Sequence, residues 1–425
     1  MLTLVLLSFT AFTAFVLVFY QPWHLWEAYA SPRTPQPAGS LSPAVSTTST
    51  AFVTPAQSIG SPSPTSTASL DQRIDAYIAH MTQTEQIGQL LMLSVYANSG
   101  NAALYRALQQ WDIANVIVFN QYNGGSLMPD TLSGLTQLVH DLQTHADQSL
   151  IVATDEEGGI VDRLAPYYGP SPSPQALAAT GDPHQAYAQA QLDAQRLRAS
   201  GINTDFAPLA DVYQGGAVDQ SRMFGTTPAQ VITYAGAFLD GLQQNGVQGT
   251  LKHWPGLGAS PANPDFGLPT ITTSQSQLNA VDFAPFRALL SHQPGMIMTT
   301  HVIVPAYDST EPASLSPVLV DQVLRGQLGY QGVVVTDATD AQGLLQFMSQ
   351  QGYTDPAKAV TEATIRAILA GNDIVECPMA PDRLAAVVTG LTAAVQSGRI
   401  SQVRLDQSLQ RIVRLKAQMG LISLP

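Results

Sequence analysis

The chain has 425 residues, 45% of them hydrophobic and only 12% charged, which is ample material for a large apolar core. Its 18 Lys and Arg against 31 Asp and Glu leave a net charge of −13, which opposes phosphate backbones and anionic membrane surfaces, so nucleic-acid binding is not expected. Cys377 is the only cysteine, which excludes an intramolecular disulfide and a multi-cysteine metal cluster, and its place at the end of an apolar run reads as a small core residue.

Residues 1–20 carry no charge and are long enough to span a bilayer as a helix. A basic leader is missing, while Ala28-Tyr29-Ala30 offers an A-x-A-like cleavage site, so residues 1–30 are expected to be a signal peptide or a membrane anchor, with a tether through residues 1–20. Either way the remainder is exported or held outside. Residues 31–69 are rich in Ser, Thr, Pro and Ala, cannot bury enough surface to offset ordering entropy, and read as a disordered linker. The folded domain is expected over residues 70–425.

Within that domain, short β-branched runs alternate with amphipathic helical stretches. Strands are expected at 91–96, 114–120, 150–155, 203–208, 247–253, 295–301, 332–337 and 372–378. Helical stretches lie between them, among others at 185–200, 228–246 and 361–371, the last two stopped by Gly or Asn-Gly. Eight such units close naturally into a single α/β domain, a (β/α)8 TIM barrel, although an open doubly wound sheet has a similar pattern.

Several strands end in polar residues: Asp155, His253 after Lys252, His301, Asp337 and Glu376. Catalytic groups of a barrel sit where the C-terminal strand ends meet the βα loops, so these side chains should converge on one mouth. There is no glycine-rich phosphate loop to hold a nucleotide cofactor, and no H-x-x-x-H or H-x-H spacing to favour a metal. A pair of carboxylates flanking a sugar is the simplest remaining chemistry, with cations and Asp groups holding the hydroxyls, but the residue types alone do not choose among these readings.

A resemblance chooses. The segment TDEEGGIVDRL (154–164) resembles the D-x-E-G-G-x-V-x-R-L motif of glycoside hydrolase family 3, INTDFAPLADV (202–212) its N-x-x-F-A-P-x-x-D-V strand, and RMFG (222–225) its R-S-F-G. LKHWPGLG (251–258) is similar to the K-H-F-P-G-x-G of the β-N-acetylglucosaminidase branch, and HVIVPAYD, ASLSP and LRGQLGYQGVVVTDA follow in the family's order. The resemblance implies Asp337 as nucleophile of a retaining reaction, and Asp155, Arg163, Arg222, Lys252 and His253 as sugar-binding residues. It further implies a compact, single-barrel β-N-acetylhexosaminidase that acts on terminal β-linked N-acetylglucosamine of extracellular oligosaccharides or wall fragments. No cofactor is expected, and the working unit is expected to be a monomer.

One motif departs. Where the family carries D-S-H-x-x-L-P, this chain reads Asn263-Pro264-Asp265-Phe266-Gly267-Leu268-Pro269, so Asp265 replaces the acid/base His and Asn263 replaces the Asp that orients it. Three outcomes follow from the substitution. Asp265 serves as an ordinary carboxylic general acid with a raised pKa; or another mouth residue, Glu376 or His301, donates the proton; or hydrolysis is lost and the protein binds glycans only.

Overall fold

The computed structural model describes residues 68–95, 102–119, 121–122, 125–126, 129–377 and 381–425; the expected leader at 1–30 and nearly all of the 31–69 linker lie outside them. Among the described residues no helix is long and apolar enough to cross a membrane.

Eight strands form the centre: β1 Leu91–Val95, β2 Asn115–Val118, β3 Ile151–Thr154, β4 Thr204–Asp205, β5 Gln248–Trp254, β6 Met296–Thr299, β7 Val333–Thr336 and β8 Val375–Cys377. Each pairs in parallel with the next in sequence, and β1 pairs with β8 through Leu91↔Val375 and Leu93↔Cys377. A parallel bridge between Val335 and Ile374, with Thr336 N–H donating to the Ile374 carbonyl at 3.1 Å, joins β7 to β8 and closes the ring. Strands enclosed by a helix layer and a filled interior are buried on both faces, which is why β1 (LMLSV) and β7 (VVVT) read as continuous apolar runs rather than alternating ones. The expected (β/α)8 TIM barrel is the observed fold.

All eight expected strands are present, and β4 is the shortest. Pro208 has no N–H to give to the ladder, so regular pairing stops at Asp205 and resumes only as an isolated bridge between Leu209 and Lys252. The helices around the ring begin at side-chain caps. Thr227 accepts the Gln230 N–H before Pro228–Gln243, and Asp355 accepts the Lys358 N–H before Pro356–Ala370. The second of these helices ends at Gly371, whose φ of 117° only glycine adopts without cost.

The N-terminal end of the barrel is shut by polar contacts to the last helix, Gln402–Gln418. Asp373, just before β8 and fully buried, accepts from Arg325 at 2.6 Å, Ser408 at 2.7 Å, Arg411 at 2.9 Å and the Val334 N–H at 3.0 Å. Burial alone would raise its carboxyl; Arg325, Arg411, Arg404 and the Val334 N–H outweigh that and hold it below the usual value. From the same helix Lys416 donates to the carbonyls of Ala114 at 2.9 Å and Ser149 at 2.8 Å, ahead of β2 and β3, and its burial pulls the ammonium pKa down to about 7. Removing Asp373 leaves clustered arginines without their shared anion. Asp373→Ala is therefore expected to lose about 3–5 kcal/mol of stability, read from the midpoint of urea unfolding.

Candidate active site

The polar residues at the C-terminal strand ends meet as the alternation of the barrel requires. Asp155 follows β3; a hairpin made of Glu156–Gly158 and Val161–Asp162 then carries Glu157 and leads to Arg163. Lys252 and His253 lie on β5, Asp337 follows β7, and Glu376 lies on β8. Arg222 ends the short helical turn Gln220–Arg222, and Asp265 sits in the loop between β5 and β6. All eight of these sequence-expected positions line one cavity of about 200 Å³. That is smaller than the roughly 300–1,000 Å³ of drug-sized pockets and suits a single sugar ring.

One wall is an ion lattice. Lys252 Nζ lies 2.7 Å from Asp155 Oδ1 and 2.6 Å from Glu157 Oε1, and Arg222 holds Glu157 with two parallel hydrogen bonds of 2.8 Å. Arg163 approaches Asp155 at 4.0 Å and places its guanidinium 5.9 Å from the centre of the Phe119 ring. Burial would raise Glu157, but Arg222 and Lys252 dominate and hold it far below the usual carboxylate range. Burial would likewise lower Lys252, and Asp155 and Glu157 reverse the effect. Each member fixes its neighbour's charge, so these polar groups stand ready in one geometry before a ligand arrives. A second fixture orients His253. Its Nδ1 lies 2.7 Å from Asp211 Oδ2, while Asp211 Oδ1 accepts the backbone N–H groups of His253 and Leu257.

Asp337 is held at the opposite side by the Ala338 N–H at 2.9 Å and the Thr300 hydroxyl at 3.3 Å. Burial pushes its carboxyl up, yet His301, His253, the Ala338 N–H and Lys252 together keep it below the ordinary value, so it is an anion near neutral pH. His301 is fully buried, with Nδ1 2.7 Å from the Ser314 hydroxyl and Nε2 2.9 Å from the Ala338 carbonyl. It is not among the residues that line the cavity; it braces the backbone beside Asp337.

Asp265 has the opposite disposition. Enclosure by the mouth, and next the negative charge of Asp337, push its carboxyl up, against the pull of Arg222, Asn263 and His253. The residue as a whole is exposed, so solvent screens part of this effect. Asn263 Oδ1 accepts the Asp265 N–H at 3.0 Å, which shapes the turn. The turn rests on the helix Gln342–Gln350 that follows Asp337: the Gln342 N–H donates to the Asp265 carbonyl at 3.2 Å, and the Gly343 N–H to Pro264 at 3.0 Å. A Cβ at Gly343 would lie 2.3 Å from the Gly267 carbonyl oxygen, so only glycine permits this approach.

Two members of the site were not singled out from sequence. Glu157 stands inside the quoted Asp-Glu-Glu-Gly-Gly run, and Asp211 inside Ala-Asp-Val, so the signal was present in both motifs. Nothing along the chain indicated that these carboxylates would meet Lys252, Arg222 and His253.

With the geometry in place, comparison with known proteins gives a consistent result. The sequence profile of the Glycosyl hydrolase family 3 N terminal domain matches residues 82–415. An uncharacterized secreted glycosyl hydrolase of Arthroderma benhamiae is 30% identical over 345 residues, covering 79% of this chain and 93% of the relative. Beta-hexosaminidase LpqI of Mycobacterium tuberculosis is 34% identical over 275 residues, covering 63% of this chain and 68% of the relative. Among solved structures, a family 3 beta-N-acetylglucosaminidase from Paenibacillus sp. superposes with a TM-score of 0.71 at 30% identity, covering 81% of this chain but only 65% of that one. The M. tuberculosis LpqI structure gives a TM-score of 0.70 at 27% identity, covering 81% of this chain and 96% of that one. Profile, barrel and ordered motifs agree: the chain belongs to glycosyl hydrolase family 3 and is a glycoside hydrolase.

Proposed function

We propose that the chain removes terminal β-linked N-acetylglucosamine, or a related β-hexoside, from extracellular oligosaccharides or wall fragments by a retaining mechanism. The observation that carries this reading is the division of labour between two carboxyls on one cavity, Asp337 held low and Asp265 pushed high. Asp337 attacks the anomeric carbon and forms a covalent glycosyl intermediate while Asp265 protonates the departing oxygen. Asp265, now ionised, then takes a proton from the water that releases the sugar. The lattice around Lys252 and the Asp211–His253 pair hold the ring hydroxyls. The relatives named for hexosaminidase and N-acetylglucosaminidase activities support the choice of sugar, and the fungal relative's description as secreted supports export through residues 1–30, with residues 31–69 spacing the barrel from its point of attachment.

The test is turnover of an aryl N-acetyl-β-glucosaminide followed by trapping with a mechanism-based fluorosugar and peptide mass mapping. A glycosyl adduct on Asp337 is expected. No turnover and no adduct between about pH 4 and pH 8, a window above the lowered Asp337 carboxyl, overturns the reading.

A further inference from the structure

The reaction just described leaves one acid in the cavity without a task. Glu376 lies on β8, is 2% exposed, and lines the same cavity as Asp155 and Asp337. Among the described residues its one side-chain hydrogen bond is accepted from the Ser94 hydroxyl at 3.5 Å, the outer limit for such a contact. Among the described residues it forms no ion pair, and the ammonium of Lys252 is already shared by Asp155 and Glu157. A buried carboxyl so poorly satisfied is expensive for the free protein, and that cost falls if a bound molecule supplies the missing partner.

The charges around it decide what kind of partner fits. Burial comes first, and Asp337, Asp155 and Asp340 add to it, so the Glu376 carboxyl is pushed well above its usual value with only Lys252 opposing. Asp337 and Glu376 cannot both be anions in so small a space, and Asp337 is the one supported by histidines and a backbone N–H. Burial and these neighbours favour the neutral acid, with an O–H to donate, as in a carboxylic acid kept protonated in an apolar site.

We propose that Glu376 is a further substrate-binding residue, whose carboxyl donates a hydrogen bond to an oxygen of the sugar held over Asp337. It neither attacks nor protonates the glycosidic bond. Its role is to recognise a ring oxygen or acetamide carbonyl from the β8 side of the cavity.

The inference rests on the cavity being a sugar site, and the experiment separates the two. Wild-type protein, Glu376→Gln and Glu376→Leu are compared by calorimetric titration with N-acetylglucosamine and by KM and kcat on an aryl N-acetyl-β-glucosaminide. Gln keeps a donor and is expected to stay within about threefold of wild type, whereas Leu is expected to weaken sugar binding and kcat/KM roughly 10- to 100-fold. Thermal melting should show Leu at least as stable as wild type, because it removes a buried polar group with one long hydrogen bond; Glu376→Met gives the same reading should Leu fit poorly. Two results overturn the inference: Leu and Met binding the sugar as wild type does, or Gln failing as badly as Leu, which would mean that the ionised carboxylate is what the ligand needs. Wild-type protein that binds no sugar would instead overturn the proposed function.

Discussion

Asp337→Asn is expected to lower kcat for an aryl N-acetyl-β-glucosaminide by roughly 10⁴- to 10⁶-fold, the scale on which loss of a covalent nucleophile is felt. The amide is nearly the same size: its one oxygen can accept from the Ala338 N–H, and its NH2 can donate to the Thr300 hydroxyl, which accepts as readily as it donates. Calorimetric binding of N-acetylglucosamine should thus change little, and the melting temperature should hold. Binding kept while turnover disappears separates a chemical role from a structural one. More than about one part in a hundred of the activity surviving would mean that another group attacks the sugar, because nucleophile deletions leave far less than this.

The second large effect concerns Asp265 and appears first in the pH profile. Asp337 works as an anion and its carboxyl is held low, so the rate is lost only as the pH falls through that lowered value. Asp265 works protonated and its carboxyl is pushed up, so the rate is lost as the pH rises through that raised value. The profile of kcat/KM is expected to be a bell on the acid side of neutral, and Asp265→Asn should abolish its alkaline limb. The same substitution should cost about 10²- to 10⁴-fold on oligosaccharides, whose leaving oxygen needs a proton, and far less on dinitrophenyl glycosides, whose leaving group does not. Added azide should restore turnover of the activated substrate as the glycosyl azide. An alkaline limb that survives in Asp265→Asn would assign the donor elsewhere.

The barrel was legible because its strands are short apolar runs with turn residues between them, and because polar residues recur at the same end of five of the eight. The shortness of β4 was harder to read: Phe206-Ala207-Pro208 is apolar enough for a strand, and only the missing N–H of Pro208 ends the ladder early. The site was legible where a polar residue at a strand end is sent to the mouth of the barrel, as with Asp155, Lys252 and Asp337. It was opaque where the job depends on a distant partner. Glu157 is 65 residues from Arg222, and Asp211 is 42 residues from His253. Neither pairing has a periodicity to betray it. His301 marks a further limit, since its strand-end position resembles that of His253 but both ring nitrogens are engaged by Ser314 and Ala338. The closure of the barrel floor by Asp373, Arg325 and Arg411 has the same character, with ranges of 48 and 38 residues between the anion and its cations.

The seat of Asp265 on Gly343 has a consequence for how interchangeable the parts of this enzyme are. The loop of the proposed proton donor does not stand as a separable insertion: its carbonyls at Pro264 and Asp265 are received by the first amides of the helix that begins just beyond Asp337. The proposed donor and nucleophile therefore share one mounting, and a loop transplanted to replace Asp265 with a histidine must match that mounting as well as supply the new side chain. Swapping the catalytic chemistry of this barrel would be a two-piece exchange, the loop together with the start of the helix on which it is carried.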